Sequence, residues 1–209
     1  MSHATGASRT KWAPKSLHPS GVASVHKRSI ATLSAAQICG GVAIAGSMPA
    51  GALLAASLTG SEVFAGLAQT TGVLGPAIFA LPLARIALTK GRRPALATGY
   101  GIGILGAILV IGGAVSRQVA LVLIGSLFVG VASAASLQAR YAATDLALPE
   151  QRARSLSYVV WAATIGAVLG PNLLNFSGSV GMSLGLPQLS GPYVIAGISL
   201  TLAVAVLVV

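Results

Sequence analysis

The chain has 209 residues, of which 55% are hydrophobic and only 8% are charged. A soluble domain carries roughly a quarter of its residues as charged ones, so this composition excludes an ordinary water-soluble domain. The 13 Lys and Arg residues against 3 Asp and Glu residues give a formal net charge of +10. In a soluble protein that excess would point to nucleic acid. Here the cations stand between long uncharged segments, so we expect no nucleic-acid partner.

The chain begins with a basic segment. Residues 1–29 contain five cations and no acid, and Pro14 and Pro19 oppose helix formation. We therefore expect a disordered tail on the cytoplasmic side of a membrane, near anionic head groups. A transit peptide is the alternative, since such peptides are also basic and free of acids.

Long uncharged runs follow this tail. A helix needs about 20 residues to cross a hydrocarbon core of about 30 Å, and continuous apolar runs favour helices over barrel strands. The sequence therefore predicts an all-α membrane protein whose domain of residues 30–209 has six transmembrane helices. The expected spans are about 30–56, 63–86, 94–115, 118–143, 155–174 and 191–209.

Positive charge predicts the orientation of these spans. Cations cluster in the tail and in the loops after spans two and four, whereas the opposite loops hold only Glu62 and Arg117 as charged residues. Cytoplasmic loops carry the excess of Lys and Arg, so both termini are expected in the cytoplasm, with the chain in the plasma membrane. Residues 175–190 are expected to form an uncharged outer loop.

The sequence offers no catalytic constellation. Its histidines stand in the basic tail, at His3, His18 and His26, so the spans provide no catalytic triad and no metal cluster. The glycine pattern of residues 101–106 resembles a dinucleotide fingerprint but lies inside a membrane span, where that motif does not function. We therefore expect no enzyme, no metal and no cofactor.

Several polar side chains stand at membrane depth, where they are costly and commonly face a cavity or a partner. Gln69 and Asn172 fall in the outer half of the membrane. The alternative to a cavity is hydrogen bonding between helices. The candidates for cavity lining are Gln37, Gln138, Arg140 and Trp161.

Three segments resemble a known transporter family. Gly91, Arg92 and Arg93 match the end of a signature loop between helices two and three, although Leu88 replaces its acid. Residues 140–154 are similar to the family's loop between helices four and five. The third segment lies in span five, where Gly166, Gly170 and Pro171 resemble a fifth-helix motif.

The chain thus resembles the N-terminal six-helix half of a major facilitator superfamily transporter. The resemblance implies two three-helix inverted repeats, alternating access for a small solute with efflux as one direction, and a substrate cavity between two halves. It also implies a gating loop in which Arg92 or Arg93 pairs with Asp145. The bilayer is one partner, and a second half or a homodimer is another. The alternative is a non-transporting remnant or a membrane assembly module.

Overall fold

The computed structural model describes residues 19–145, 147 and 149–208, with side chains from Arg28 onward except that of Pro149. Over this part of the chain the secondary structure is helical. Two short 3-10 turns, Pro149–Gln151 and Gln188–Ser190, lie between longer elements. The helices are α1 (Pro19–Thr59), α2 (Glu62–Thr89), α3 (Arg92–Ser116), α4 (Val119–Asp145), α5 (Arg152–Asn172), α6 (Leu174–Ser183) and α7 (Gly191–Val208).

Six of the helices are long and apolar enough to cross a membrane, which confirms the predicted fold class. They are α1 to α5 and α7, the last together with the 3-10 turn before it. Pro49 lies inside α1, while Pro76 and Pro82 lie inside α2. Small residues dominate the interior, where many of the buried apolar side chains are alanines.

The structure differs from the sequence interpretation in two segments outside the predicted spans. Helix α1 begins at Pro19, so residues 19–29 are helical, whereas residues 1–18 of the predicted tail lie outside the described part of the chain. Proline at the first position of a helix is favourable, because its missing N–H would have no partner there in any case. The sequence interpretation treated Pro19 only as a helix breaker.

The second correction concerns the predicted outer loop of residues 175–190, most of which forms α6 and a 3-10 turn. Its glycines suggested a loop, but they allow close packing. A Cβ on Gly181 would lie 2.9 Å from the Cα of Gly191 at the start of α7, and Gly191 lies directly against the Ser177 carbonyl. Tertiary contact thus outweighs the low intrinsic helix propensity of glycine and serine.

The packing of the helices reproduces an internal repeat. Extensive contacts join α1 with α5 and α2 with α4, and further pairs are α3 with α4 and α1 with α7. The six spans are α1, α2, α3, α4, α5 and α7. Exchanging α1 with α4, α2 with α5 and α3 with α7 converts each of these pairs into another member of the set. Consecutive spans alternate in direction, so the repeats are inverted, in agreement with the fold that the resemblance implies.

Candidate functional site

A polar cluster lies at the basic end of the bundle, which we define as the end carrying the α2–α3 and α4–α5 connections. Arg92 is the first residue of α3, and its Nε and Nη2 donate to Asp145 Oδ2 at 3.0 and 2.7 Å. Its Nη1 donates to Gln138 Oε1 at 2.7 Å. One guanidinium therefore links the start of α3 to two turns of α4.

Helix dipoles explain why these two charges need each other. Arg92 stands at the N-terminus of α3, which disfavours a cation, and Asp145 stands at the C-terminal end of α4, which disfavours an anion. Pairing neutralises both. The side chains are 34% and 55% exposed, so solvent screens the attraction and keeps the pair near the range of about 0–1 kcal/mol found for surface pairs.

Gly91 sets the direction from which α3 begins. Its φ of 99° lies in a region that residues with a Cβ rarely adopt, so glycine allows the turn that places Arg92 beside α4. Arg93 and Leu88 are both exposed, the latter by 84%. The structure therefore places Arg92, and not Arg93, against Asp145. The gating role of this cluster stays a prediction.

The fifth-helix motif contacts α1 through backbone atoms. A Cβ on Gly166 would overlap the Ile38 carbonyl oxygen, and a Cβ on Gly170 would lie 2.7 Å from the Gly46 nitrogen. The pair α2 and α4 repeats this arrangement, because Gly130 lies directly against the Gly72 carbonyl. Pro171 is exposed, two residues before the break between α5 and α6 at Leu173.

The four candidates for cavity lining lie in different surroundings. Gln37 is fully buried and joins three helices, since its Nε2 donates to the Ser136 carbonyl while its Oε1 accepts from the Tyr100 hydroxyl. Trp161 is 69% exposed on α5. Arg140 is half-buried, and its Nε has no hydrogen-bond partner among the described residues. Together with Gln138 in the polar cluster, these residues do not form one site.

A narrow cavity of about 20 Å³, room for about one water molecule, lies between α1, α2, α4 and α7. Sequence reasoning noted Gln69 as a polar residue at membrane depth but missed the hydroxyl groups beside it. Serine and tyrosine are common in membrane helices, so the sequence does not single these residues out. Only their convergence on one cavity in the structure does. The lining residues are Ile44, Ser47, Met48, Gly51, Ala68, Gln69, Gly72, Ser126, Val129, Gly130, Ser133 and Tyr193.

The described side chains contain no group of three His, Cys, Asp or Glu that could hold a metal ion. His3 and His18, which the sequence analysis placed in the tail, lie outside the described residues, and the side chain of His26 is likewise not described.

Comparison with known proteins now defines the class. The sequence profile of the Major Facilitator Superfamily matches residues 33–209. The chain is 42% identical over 184 residues to the uncharacterized MFS-type transporter YdeG of Bacillus subtilis (strain 168), covering 88% of this chain and 43% of that protein. YddS of the same strain is 40% identical over 185 residues, covering 88% and 42% of the two chains.

The chain therefore belongs to the Major Facilitator Superfamily, as the sequence resemblance predicted. It is also similar to the riboflavin transporter RfnT of Brucella anthropi, at 27% identity over 152 residues, or 73% of this chain and 38% of that protein. The chain spans less than half the length of these curated relatives.

Proposed function

We propose that the chain is the N-terminal half of a secondary transporter that moves a small solute across the plasma membrane by alternating access, with efflux as the direction to test first. The contact of Arg92 with Asp145 and Gln138 carries this proposal. A screened polar link between α3 and α4 is strong enough to bias two conformations and weak enough to open.

The exposed faces of α2 and α5 support a requirement for a second half. Leu81 is 71% exposed on α2, and Val168 is 59% exposed on α5. A second six-helix bundle would cover such faces and enclose a path between the halves. A second copy of this chain is the other candidate partner.

We expect the chain to transport when it is expressed together with the part of YdeG that it does not match, because the chain is 42% identical to the part that it would replace. The measurement is co-purification in detergent followed by uptake into proteoliposomes. The name of RfnT makes riboflavin the first compound to test.

The same experiment separates the alternatives. Transport by the chain alone, together with a dimeric mass, would favour a homodimer. A chain that binds neither YdeG nor itself and moves no solute would favour the remnant or assembly module, and it would contradict the proposal.

The orientation is tested by cysteine labelling in a Cys39→Ala background. Arg93 lies at the basic end and Gln118 at the opposite end, and both are exposed. We expect a membrane-impermeant maleimide to label Gln118→Cys in intact cells, but Arg93→Cys only after permeabilisation, because the basic connections face the cytoplasm. Labelling of Arg93→Cys in intact cells would reverse the proposed orientation.

A further inference from the structure

We propose that a pocket at the end of the bundle opposite the basic end binds an anionic amphiphile, whose carboxylate or phosphate group is held by Arg117. The pocket lies between the ends of α1 and α3 and the 3-10 turn before α7. Its volume of about 350 Å³ falls within the range of ligand pockets, about 300–1,000 Å³. Binding at this pocket does not require transport, so the proposal is independent of the proposed function.

Arg117 supplies the charge, and no other residue that lines the pocket is charged. Among the described residues its side chain makes no ion pair and no hydrogen bond. Glu62 is the acid at this end of the bundle, but it is exposed at the start of α2 and does not line the pocket. A guanidinium presents its N–H donors in a planar fork that fits carboxylate and phosphate oxygens. The pocket therefore offers an anion a cation that is free to bind it.

The backbone at Arg117 shows that the fold does not need this side chain. Its φ of 54° and ψ of 32° are left-handed, and it ends α3 at a position where glycine is usual. The N–H groups of Arg117 and Gln118 both donate to the Gly113 carbonyl, and glycine would make the same backbone bond. The charge can therefore be removed by substitution with glycine, which relieves strain and keeps the end of the helix.

The rest of the wall suits an apolar body with a polar edge. Leu54 is buried, and Leu58 and Leu189 are half-buried against the same hydrophobic cluster. Gln188 is exposed, and its side chain packs over α6, because a Cβ on Gly178 would lie 3.1 Å from its Cγ and 3.5 Å from its Nε2. The amide of Gln188 can donate a second hydrogen bond to an anion. The ligand that fits combines an anionic group with a ring or a hydrocarbon chain.

Two sources can provide this chemistry. The apolar span of α3 ends at Ser116, so Arg117 lies at the depth of the lipid head groups. An anionic lipid can place its phosphate beside Arg117 and part of an acyl chain against the leucines. A soluble organic anion can occupy the same pocket from the aqueous side. Both sources share the anionic group, so both require Arg117.

The test uses the full chain in dodecyl maltoside, a detergent without phosphate, with Ser57→Cys as reporter in a Cys39→Ala background. Ser57 is exposed and lines the pocket, so the neutral reagent iodoacetamide can reach this thiol. Benzoate should slow the reaction at lower concentrations than benzamide, which has the same size and no charge, and acetate, which has the charge and no ring. In mixed micelles, phosphatidylglycerol should slow the reaction at lower mole fractions than phosphatidylcholine.

Variants of Arg117 locate the site. Arg117→Gly and Arg117→Gln should raise the half-protecting concentration of the anion about two- to fivefold, the range expected for the loss of an exposed ion pair. Arg117→Gly should keep the melting temperature, because relief of backbone strain offsets the lost interaction of the cation with the end of α3. Arg93→Gln makes the same change in net charge at the basic end, where Arg93 is exposed, and should not change protection.

Protection by benzoate alone would identify a soluble anion, and protection by phosphatidylglycerol alone would identify a lipid head group. Either result supports the site if protection weakens in Arg117→Gly and persists in Arg93→Gln. Protection that does not depend on the charge of the added compound, equal protection by benzoate and acetate, or unchanged protection in Arg117→Gly would overturn the proposal. A chain that moves no solute yet shows the expected protection would contradict the proposed function and leave this binding site standing.

Discussion

Replacing Gly166 by alanine should lower the thermal stability of the protein in detergent, whereas the same change at Gly112 should leave it unchanged or raise it slightly. The Cβ at position 166 would overlap the Ile38 carbonyl oxygen and lie 2.9 Å from the Gly41 Cα. These are backbone atoms of α1, so no side-chain rotation can relieve the overlap. The helices must separate instead.

The magnitude follows from two opposing effects. Overpacking of a close contact costs about 1–3 kcal/mol, and alanine regains roughly 0.5–1 kcal/mol over glycine within a helix. At Gly166 both effects act and destabilisation dominates. At Gly112, where the added Cβ meets nothing within 4 Å, only the second effect acts.

Thermal unfolding, followed as loss of the monodisperse size-exclusion peak, measures this difference directly. Gly130→Ala provides an independent repeat of the experiment, because its Cβ would overlap the Gly72 carbonyl in the matching α2–α4 contact. Equal midpoints for the Gly166, Gly130 and Gly112 variants would show that close backbone approach does not hold these helices together.

Asp145→Asn should destabilise the conformation in which the basic end is closed, in the chain assembled with its second half. The variant keeps the shape of the side chain but removes the charge that accepts two hydrogen bonds from Arg92. A pair worth up to about 1 kcal/mol changes the ratio of closed to open states by about fivefold at most.

The measurement is the rate of maleimide labelling at Ser136→Cys, half-buried on α4, in a Cys39→Ala background. Labelling should accelerate in Asp145→Asn and in Arg92→Ala. Arg93→Ala removes an exposed neighbouring cation and should not change the rate.

A charge swap makes this test specific. Combining Arg92→Asp with Asp145→Arg should restore slow labelling, because the swapped charges also agree with both helix dipoles. Faster labelling in Arg93→Ala than in Asp145→Asn, or no change in Asp145→Asn, would remove the gating role of this cluster.

Much of the fold was predictable because its physical origin is local in the sequence. The length of an uncharged run defines a span, and five of the six predicted spans overlap the observed helices closely at both ends. The remaining span is the first one, in which α1 begins earlier than predicted. A proline is favourable at the first position of a helix, although it is unfavourable inside one. Helix α6 was missed because its glycines form packing contacts that composition does not reveal.

The site was predictable only where a motif carried it. Gly91, Arg92 and Asp145 were identified from the resemblance, and the structure brings the last two together. The sequence left open which of Arg92 and Arg93 makes this contact. The direction in which α3 begins, through the positive φ of Gly91, decides it.

The sequence by itself determined that this chain spans a membrane and how many times it crosses, because bilayer thickness and charge act on contiguous residues. Its three motifs indicated the family. Only the tertiary structure decided which polar groups meet. Tyr193 donates to the Ser47 carbonyl although the two residues stand 146 positions apart, and both Tyr193 and Ser126 lie beside Gly51. Such convergence depends on how closely the helix backbones approach one another. Glycine contacts between separate spans set this distance, and no single segment encodes it.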